Sequence, residues 1–146
     1  MNVRPKTGED QAWVRALLTR HWGGTVVVAH GQRFEADRLP ALVAGQGDGL
    51  ATYQISGDGR EAELVTLDAA TPRRGIGTAL VAGLAQLLRV RGVTILRLTT
   101  TNDNLTALRF YQRRGFRIVA VHPGAVAEAR RLKPAIPEFE IGRAHV

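Results

Sequence analysis

Leu64-Val65-Thr66-Leu67-Asp68-Ala69-Ala70-Thr71-Pro72-Arg73-Arg74-Gly75-Ile76-Gly77-Thr78-Ala79-Leu80 changes period midway. Its first four residues continue a β-patterned run from Glu61. From Ile76 the apolar residues Leu80, Leu84, Leu87 and Leu88 recur at helical spacing, with Gly92 placed to stop the helix. Val93 to Thr100 is again β-branched. Strand, helix and strand make a crossover, expected to be right-handed, with a glycine-bearing junction where the helix starts.

Such a junction suits an anion. The first amides of a helix have no partner within it, and the helix dipole adds about 0.3–1 kcal/mol per bound charge at low ionic strength. Gly75 and Gly77 have no side chain to hold a phosphate away, and Arg73 and Arg74 add forked donors. The pattern is neither the Lys-Ser/Thr phosphate loop of nucleotidases nor the three-glycine dinucleotide fingerprint. On these residues alone, an ordinary helix start with solvated arginines fits as well.

Upstream, Met1–Pro5 reads as a short strand and Glu9–Trp22 as a helix ended by Gly23-Gly24, with Trp13, Leu17 and Leu18 on one face. Thr25–His30, Ala41–Ala44, Leu50–Ser56 and Glu61–Leu67 read as strands, the last three close enough for an antiparallel meander. Downstream, Asn102 or Asp103 is placed to cap a helix running to Arg114 and ended by Gly115. Phe116–Val121 follows as a strand, then a short helix at Ala125–Leu132. The expected fold is one α+β domain, residues 1–140, on a mixed and mostly antiparallel central sheet flanked by helices. Ile141-Gly142-Arg143-Ala144-His145-Val146 reads as the translation of a common sequencing-library adapter, so 141–146 is expected to be a non-native tail. The final strand is then expected to be truncated, leaving a sheet edge open to aggregation or dimerisation.

Composition narrows the function. With 146 residues, 45% apolar and 23% charged, the chain suits one soluble domain. No apolar run reaches the ~20 residues of a membrane span and no secretory signal opens the chain, so the expected location is cytoplasmic. The absence of cysteine excludes disulfides and thiolate catalysis. The four histidines are scattered, so no metal site is expected. A net charge of +7 favours anionic partners. Those are nucleic acid, an anionic membrane surface or a phosphorylated small molecule; only 5% of residues are aromatic and no long basic tract exists, which counts against nucleic acid.

Two segments together carry a family resemblance. Arg73-Arg74-Gly75-Ile76-Gly77-Thr78-Ala79-Leu80 resembles motif A of the GNAT family of N-acetyltransferases. Asn104-Leu105-Thr106-Ala107-Leu108-Arg109-Phe110-Tyr111-Gln112-Arg113-Arg114-Gly115-Phe116 resembles its motif B, and the intervening strand has matching spacing. The resemblance implies a GNAT-like fold and an acetyl-CoA-dependent N-acyltransferase. Val65, Thr66 and Leu67 would then offer backbone groups to the pantetheine arm. Arg73, Arg74, Gly75, Ile76, Gly77 and Thr78 would wrap the pyrophosphate. Asn104 would contact the cofactor near the pantetheine, and Tyr111 would lie near the thioester sulfur. Pro72 departs from the family, which usually places Gln or Arg three residues before the first glycine.

Acyl transfer to an amine needs a base for the ammonium and an acid for the leaving thiolate. Tyr111 is the candidate acid, although a core aromatic fits the same helix face. Glu63 and Glu61 share one side of their strand and are the candidate bases, though two solvent-facing carboxylates would look the same. A small-molecule, peptide or protein amine is the expected acceptor. The alternatives are a non-catalytic acyl-CoA-binding module and, more remotely, a nucleic-acid-binding domain.

Overall fold

The computed structural model describes residues 2–71, 75–100, 104–120 and 131. Two compact units divide them: the described residues of Met1–Val27 and Glu35–Leu98, and those of Val28–Phe34 and Thr99–Val146.

In the first unit, β1 (Val3–Pro5), β4 (Ala41–Ala44), β5 (Gly49–Ile55), β6 (Glu61–Ala69) and β7 (Ile95–Leu98) form one sheet in the order β1-β4-β5-β6-β7. Every neighbouring pair is antiparallel except β6 and β7, which run parallel because helix α2 (Ile76–Val90) crosses between them. The mixed, mostly antiparallel sheet expected from the sequence is present.

Helix α1 (Gln11–Trp22) follows a 3-10 turn at Gly8–Asp10 and ends where Gly23 takes φ 73° and returns its N–H to Thr19. It buries Val14, Leu17 and Leu18 at helical spacing, with Trp13 only partly covered. These meet Val43 and Leu50 on one face of the sheet, and Val65 packs against the same cluster. Leu42 alternates to the other face, where α2 lies against β4, β5 and β6.

Between α1 and β4, β2 (Val26–Ala29) and β3 (Gln32–Glu35) pair as a separate two-stranded sheet across His30-Gly31. His30 and Gly31 both have positive φ, 41° and 76°, as a two-residue hairpin turn requires. The sequence pattern missed β3, because Gln32-Arg33-Phe34-Glu35 offers one buried residue, Phe34, among exposed polar ones.

In the second unit, helix α3 (Leu105–Arg113) starts at Asn104, not at Asn102 or Asp103: the Asn104 side chain accepts the Ala107 N–H at 3.2 Å. Phe116–Ala120 is not a strand, contrary to the sequence expectation. A strand needs a neighbour for its backbone groups, and no described strand pairs with this segment, where Ile118 and Val119 are exposed. Of the helix expected at 125–132 only Arg131 is described, and it is helical; the 141–146 tail lies outside the described residues.

Candidate active site

The site is built on β6. Its inner edge pairs with β5 along the whole strand, from Ala69 opposite Gly49 to Ala62 opposite Ile55. Its outer edge pairs with β7 only from Glu61 to Leu64. Beyond Leu64 no strand among the described residues pairs with that edge, so Val65, Thr66 and Leu67 flank an open, extended run of backbone. The register explains where the opening begins. Thr52 opposes Thr66 while Tyr53 opposes Leu64, so Val65 is the extra residue of a β-bulge, and a bulge bends its strand away from a neighbour.

Two threonines hold the bulge. The Thr66 N–H donates to Thr52 Oγ1 at 3.1 Å, and the two hydroxyls bond each other at 2.6 Å, both residues essentially buried. One side chain thus supplies the acceptor that the interrupted ladder lacks.

The turn into α2 comes next. Gly75 precedes the helix in the left-handed conformation, φ 73°, which a side chain disfavours. The first bond back along the helix is Ala79 N–H to Gly75 O at 3.0 Å, so the amides of Ile76, Gly77 and Thr78 lie ahead of the internal ladder. Gly75 and Thr78 are exposed, Gly77 is half-buried, and Ile76 is buried. Ile76 is seated against the sheet because Gly49 has no side chain: a Cβ there would run into Ile76 Cγ2 and come within 3.0 Å of Leu80 Cδ1. Arg73, Arg74 and Pro72 lie outside the described residues.

The candidate bases behave differently from each other. Glu61 Oε1 accepts from Arg97 of β7 at 3.1 Å, in a pair whose side chains are 40% and 58% exposed. Glu63 is half-buried and opposes Arg97 in the register.

Within the second unit, Tyr111 is half-buried and its ring meets Phe110 and Phe116 edge-on, with centroids 5.2 and 5.5 Å away. The Arg114 guanidinium lies 3.6 Å over the Phe110 ring and donates to the Phe110 carbonyl at 2.8 Å. These contacts fix the ring plane of the candidate acid. The Asn104 carbonyl oxygen caps α3, which leaves the side-chain amino group as the part of Asn104 able to reach a ligand. Arg109 and Arg113 are exposed.

A polar cluster that the sequence reading did not assemble lies at the end of β6. Asp68 is 8% exposed, and its carboxylate meets His21 Nδ1 at 2.9 Å and accepts from Trp22 Nε1 at 3.1 and 3.0 Å. Burial pushes the carboxyl above the ordinary carboxylate value, while the Trp22 and His21 contacts pull it back. Alternation from Thr66 puts Asp68 on the face of the sheet covered by α1, and that period was its one signal in the sequence.

Among the described residues no group of three or more His, Asp and Glu side chains is placed to hold a metal ion, and no helix is long and apolar enough to cross a membrane.

Known proteins resemble this chain in sequence and in fold. The profile described as Acetyltransferase (GNAT) family matches residues 8–116. The uncharacterized protein YdhI of Bacillus subtilis (strain 168) is 40% identical over 126 residues, covering 84% of this chain and 78% of the relative. The ribosomal-protein-S18-alanine N-acetyltransferase of Escherichia coli superposes with a TM-score of 0.65 at 22% identity, over 84% of this chain and 81% of that one. The aminoglycoside N-acetyltransferase AAC(6')-Iy, solved in complex with CoA, superposes with a TM-score of 0.61 at 18% identity over 83% of this chain and 98% of that one.

Proposed function

The chain belongs to the GNAT acetyltransferase family, and on that footing we propose that it moves an acetyl group from acetyl-CoA to a primary amine of a small molecule, peptide or protein. The reaction is direct attack of the neutral amine on the thioester. One observation carries this reading: β6 opens its outer edge at the Val65 bulge and leads, ten residues later, into the Gly75 turn that starts α2. That is an extended backbone edge followed by an anion-binding helix start on one continuous segment. It suits a long amide-bearing arm that ends in a pyrophosphate.

Each part of the segment takes a share of the work. The backbone of Val65, Thr66 and Leu67 binds the arm, and an N–H of this run polarises the thioester carbonyl. The Gly75–Thr78 turn, with Arg73 and Arg74, takes the pyrophosphate. Tyr111 protonates the departing thiolate, by likeness to the family. Acetyl-CoA supplies the activated acyl group. Glu61 and Glu63 are the family-like bases, but Glu61 is already engaged by Arg97.

That engagement gives the second reading its support: a module that binds acyl-CoA without turnover. Calorimetric titration with CoA, run beside thiol release in the presence of amines, separates the two. Binding with amine-dependent release supports the transferase. Binding without release for any small-molecule or peptide amine supports the module.

A further inference from the structure

The basic charge of the second unit has no part in the scheme above. We infer that the exposed face of α3 is a docking surface for an acidic stretch of a peptide or protein acceptor, with Arg109 and Arg113 as its anchors. This inference rests on the acetyltransferase reading and narrows its acceptor.

Charge comes first. From Asn104 to Ala120 the chain carries four arginines and no Asp or Glu. Arg114 is half-buried and engaged by Phe110, over whose ring it lies and to whose carbonyl it donates. Arg109, Arg113 and Arg117 are exposed, and among the described residues none of them has a carboxylate or side-chain hydrogen-bond partner. In the first unit, by contrast, Arg4, Arg15, Arg38 and Arg97 each meet a carboxylate within 3.3 Å. Arg109 and Arg113 are four residues apart on α3, so they are neighbours on its surface, about 40° apart around the axis. Like charges at that spacing oppose the helix. The pair does nothing for α3 itself, whereas a carboxylate laid against it relieves the repulsion and accepts forked donors.

The surroundings select the class of partner. Leu105, Ile118 and Val119 are 71%, 60% and 75% exposed. Arginines beside uncovered aliphatic side chains suit a protein or peptide interface. A nucleic-acid strand is held by open rings on which its bases stack. Here Phe110, Tyr111 and Phe116 are half-buried and meet edge-on, and Arg114 covers Phe110. An anionic bilayer takes a helix with a broad apolar face. The exposed side of α3 carries one apolar residue, Leu105, with Thr106, Arg109, Gln112 and Arg113.

Spacing comes last. Arg109 and Arg113 each lie two residues from Tyr111, the candidate acid, and so about 160° around the axis from it. No single residue of an acceptor spans that distance. Half the circumference of a helix about 11 Å across is about 17 Å, or about five residues of extended peptide. The acidic stretch therefore stands about five residues or more from the reacting amine, and a small amine does not reach the arginines.

The test uses the full chain and peptides of about twelve residues with a free amino terminus: a neutral leader of about five residues, then a run of glutamate, glutamine or arginine. A small amine is the control. For the wild type, kcat/KM is expected to be about tenfold higher with the glutamate peptide than with the glutamine peptide, through KM, and the gain should fade as salt rises. Arg109→Gln/Arg113→Gln should lose that gain and keep both small-amine turnover and the CoA-induced rise in melting temperature. Arg109→Glu/Arg113→Glu should prefer the arginine peptide, a reversal that a structural role for the two arginines does not produce. If the glutamate variant does not fold, the glutamine variant decides. A glutamate preference that survives Arg109→Gln/Arg113→Gln overturns the proposal. So does calorimetric binding of a uridine oligonucleotide, a DNA duplex or phosphatidylserine vesicles that is tighter than that of the glutamate peptide and is lost in the glutamine variant, because it assigns the surface to nucleic acid or membrane. A wild type that turns over amines without preferring the glutamate peptide sinks this inference alone, whereas a wild type with no amine-dependent release sinks the acetyltransferase reading and this inference with it.

Discussion

Replacing Thr52 by valine removes one oxygen from a buried site and keeps the shape. That oxygen accepts the Thr66 N–H at 3.1 Å and bonds the Thr66 hydroxyl at 2.6 Å. Orphaning a buried donor costs about 1–3 kcal/mol, and losing a neutral hydroxyl bond about 1 kcal/mol more. The added methyl group returns about 0.8 kcal/mol. The net loss is about 2 kcal/mol, or about 6 °C in melting temperature at roughly 3 °C per kcal/mol for a domain of this size. Thr66→Val is the informative control. It loses the same hydroxyl pair and gains the same methyl, but the backbone N–H at position 66 keeps its bond to Thr52 Oγ1, so its net cost is expected to be smaller than that of Thr52→Val. Thr52→Val should also bind CoA more weakly in calorimetry, because the bulge sets where the outer edge of β6 opens. Equal melting temperatures for the two valine variants, or a Thr52→Val protein as stable as wild type, would refute the assignment of Thr52 as the bulge acceptor.

Further outcomes are expected. Gly77→Glu places bulk and negative charge at the start of α2, so it should abolish the stabilisation by CoA, about 2.7 kcal/mol at a hundred times the Kd in the wild type; a folded variant with an undiminished shift would clear the turn of that role. Tyr111→Phe keeps the edge-on contacts with Phe110 and Phe116 and should lower turnover about 10²–10⁴-fold with CoA affinity unchanged, as steady-state kinetics and calorimetry would show. Asp10 accepts from both Arg4 nitrogens at 2.8 Å and from the Thr7 N–H, which holds its carboxyl well below the ordinary 3.8. Its folded value is depressed, so its stabilisation is present above 3.8 and is lost as pH falls below it. In thermal melts the gap between wild type and Asp10→Asn should therefore close on acidification.

The parts of the fold written in period were legible: the apolar spacing of α2, the β-branched meander and the glycines that end α1, α2 and α3. So was the Gly75 turn, because a glycine-bearing strand-to-helix junction has few structural solutions. What the pattern concealed depended on pairing. The bulge arises from a hydroxyl fourteen residues away, and nothing in Leu64-Val65-Thr66 alone announces it. Phe116–Ala120 has strand composition but no described strand beside it, which local sequence does not reveal. His21, Trp22 and Asp68 looked like isolated polar and aromatic residues, since 46 and 47 positions separate partners that the fold brings together. Asn104 was legible as part of the second motif, but its use as the cap was not, because Asn102 and Asp103 offered equal chemistry two positions and one position earlier.

Release of free thiol from acetyl-CoA, followed with a thiol reagent across a panel of small-molecule and peptide amines, bears on the proposed reaction with least ambiguity. The chain contains no cysteine, so every thiol detected comes from the cofactor. Release that requires an amine, with one acetylated amine formed per thiol, is the expected result. Release that is absent, or that proceeds at the same rate without an amine, would contradict transfer to an amine.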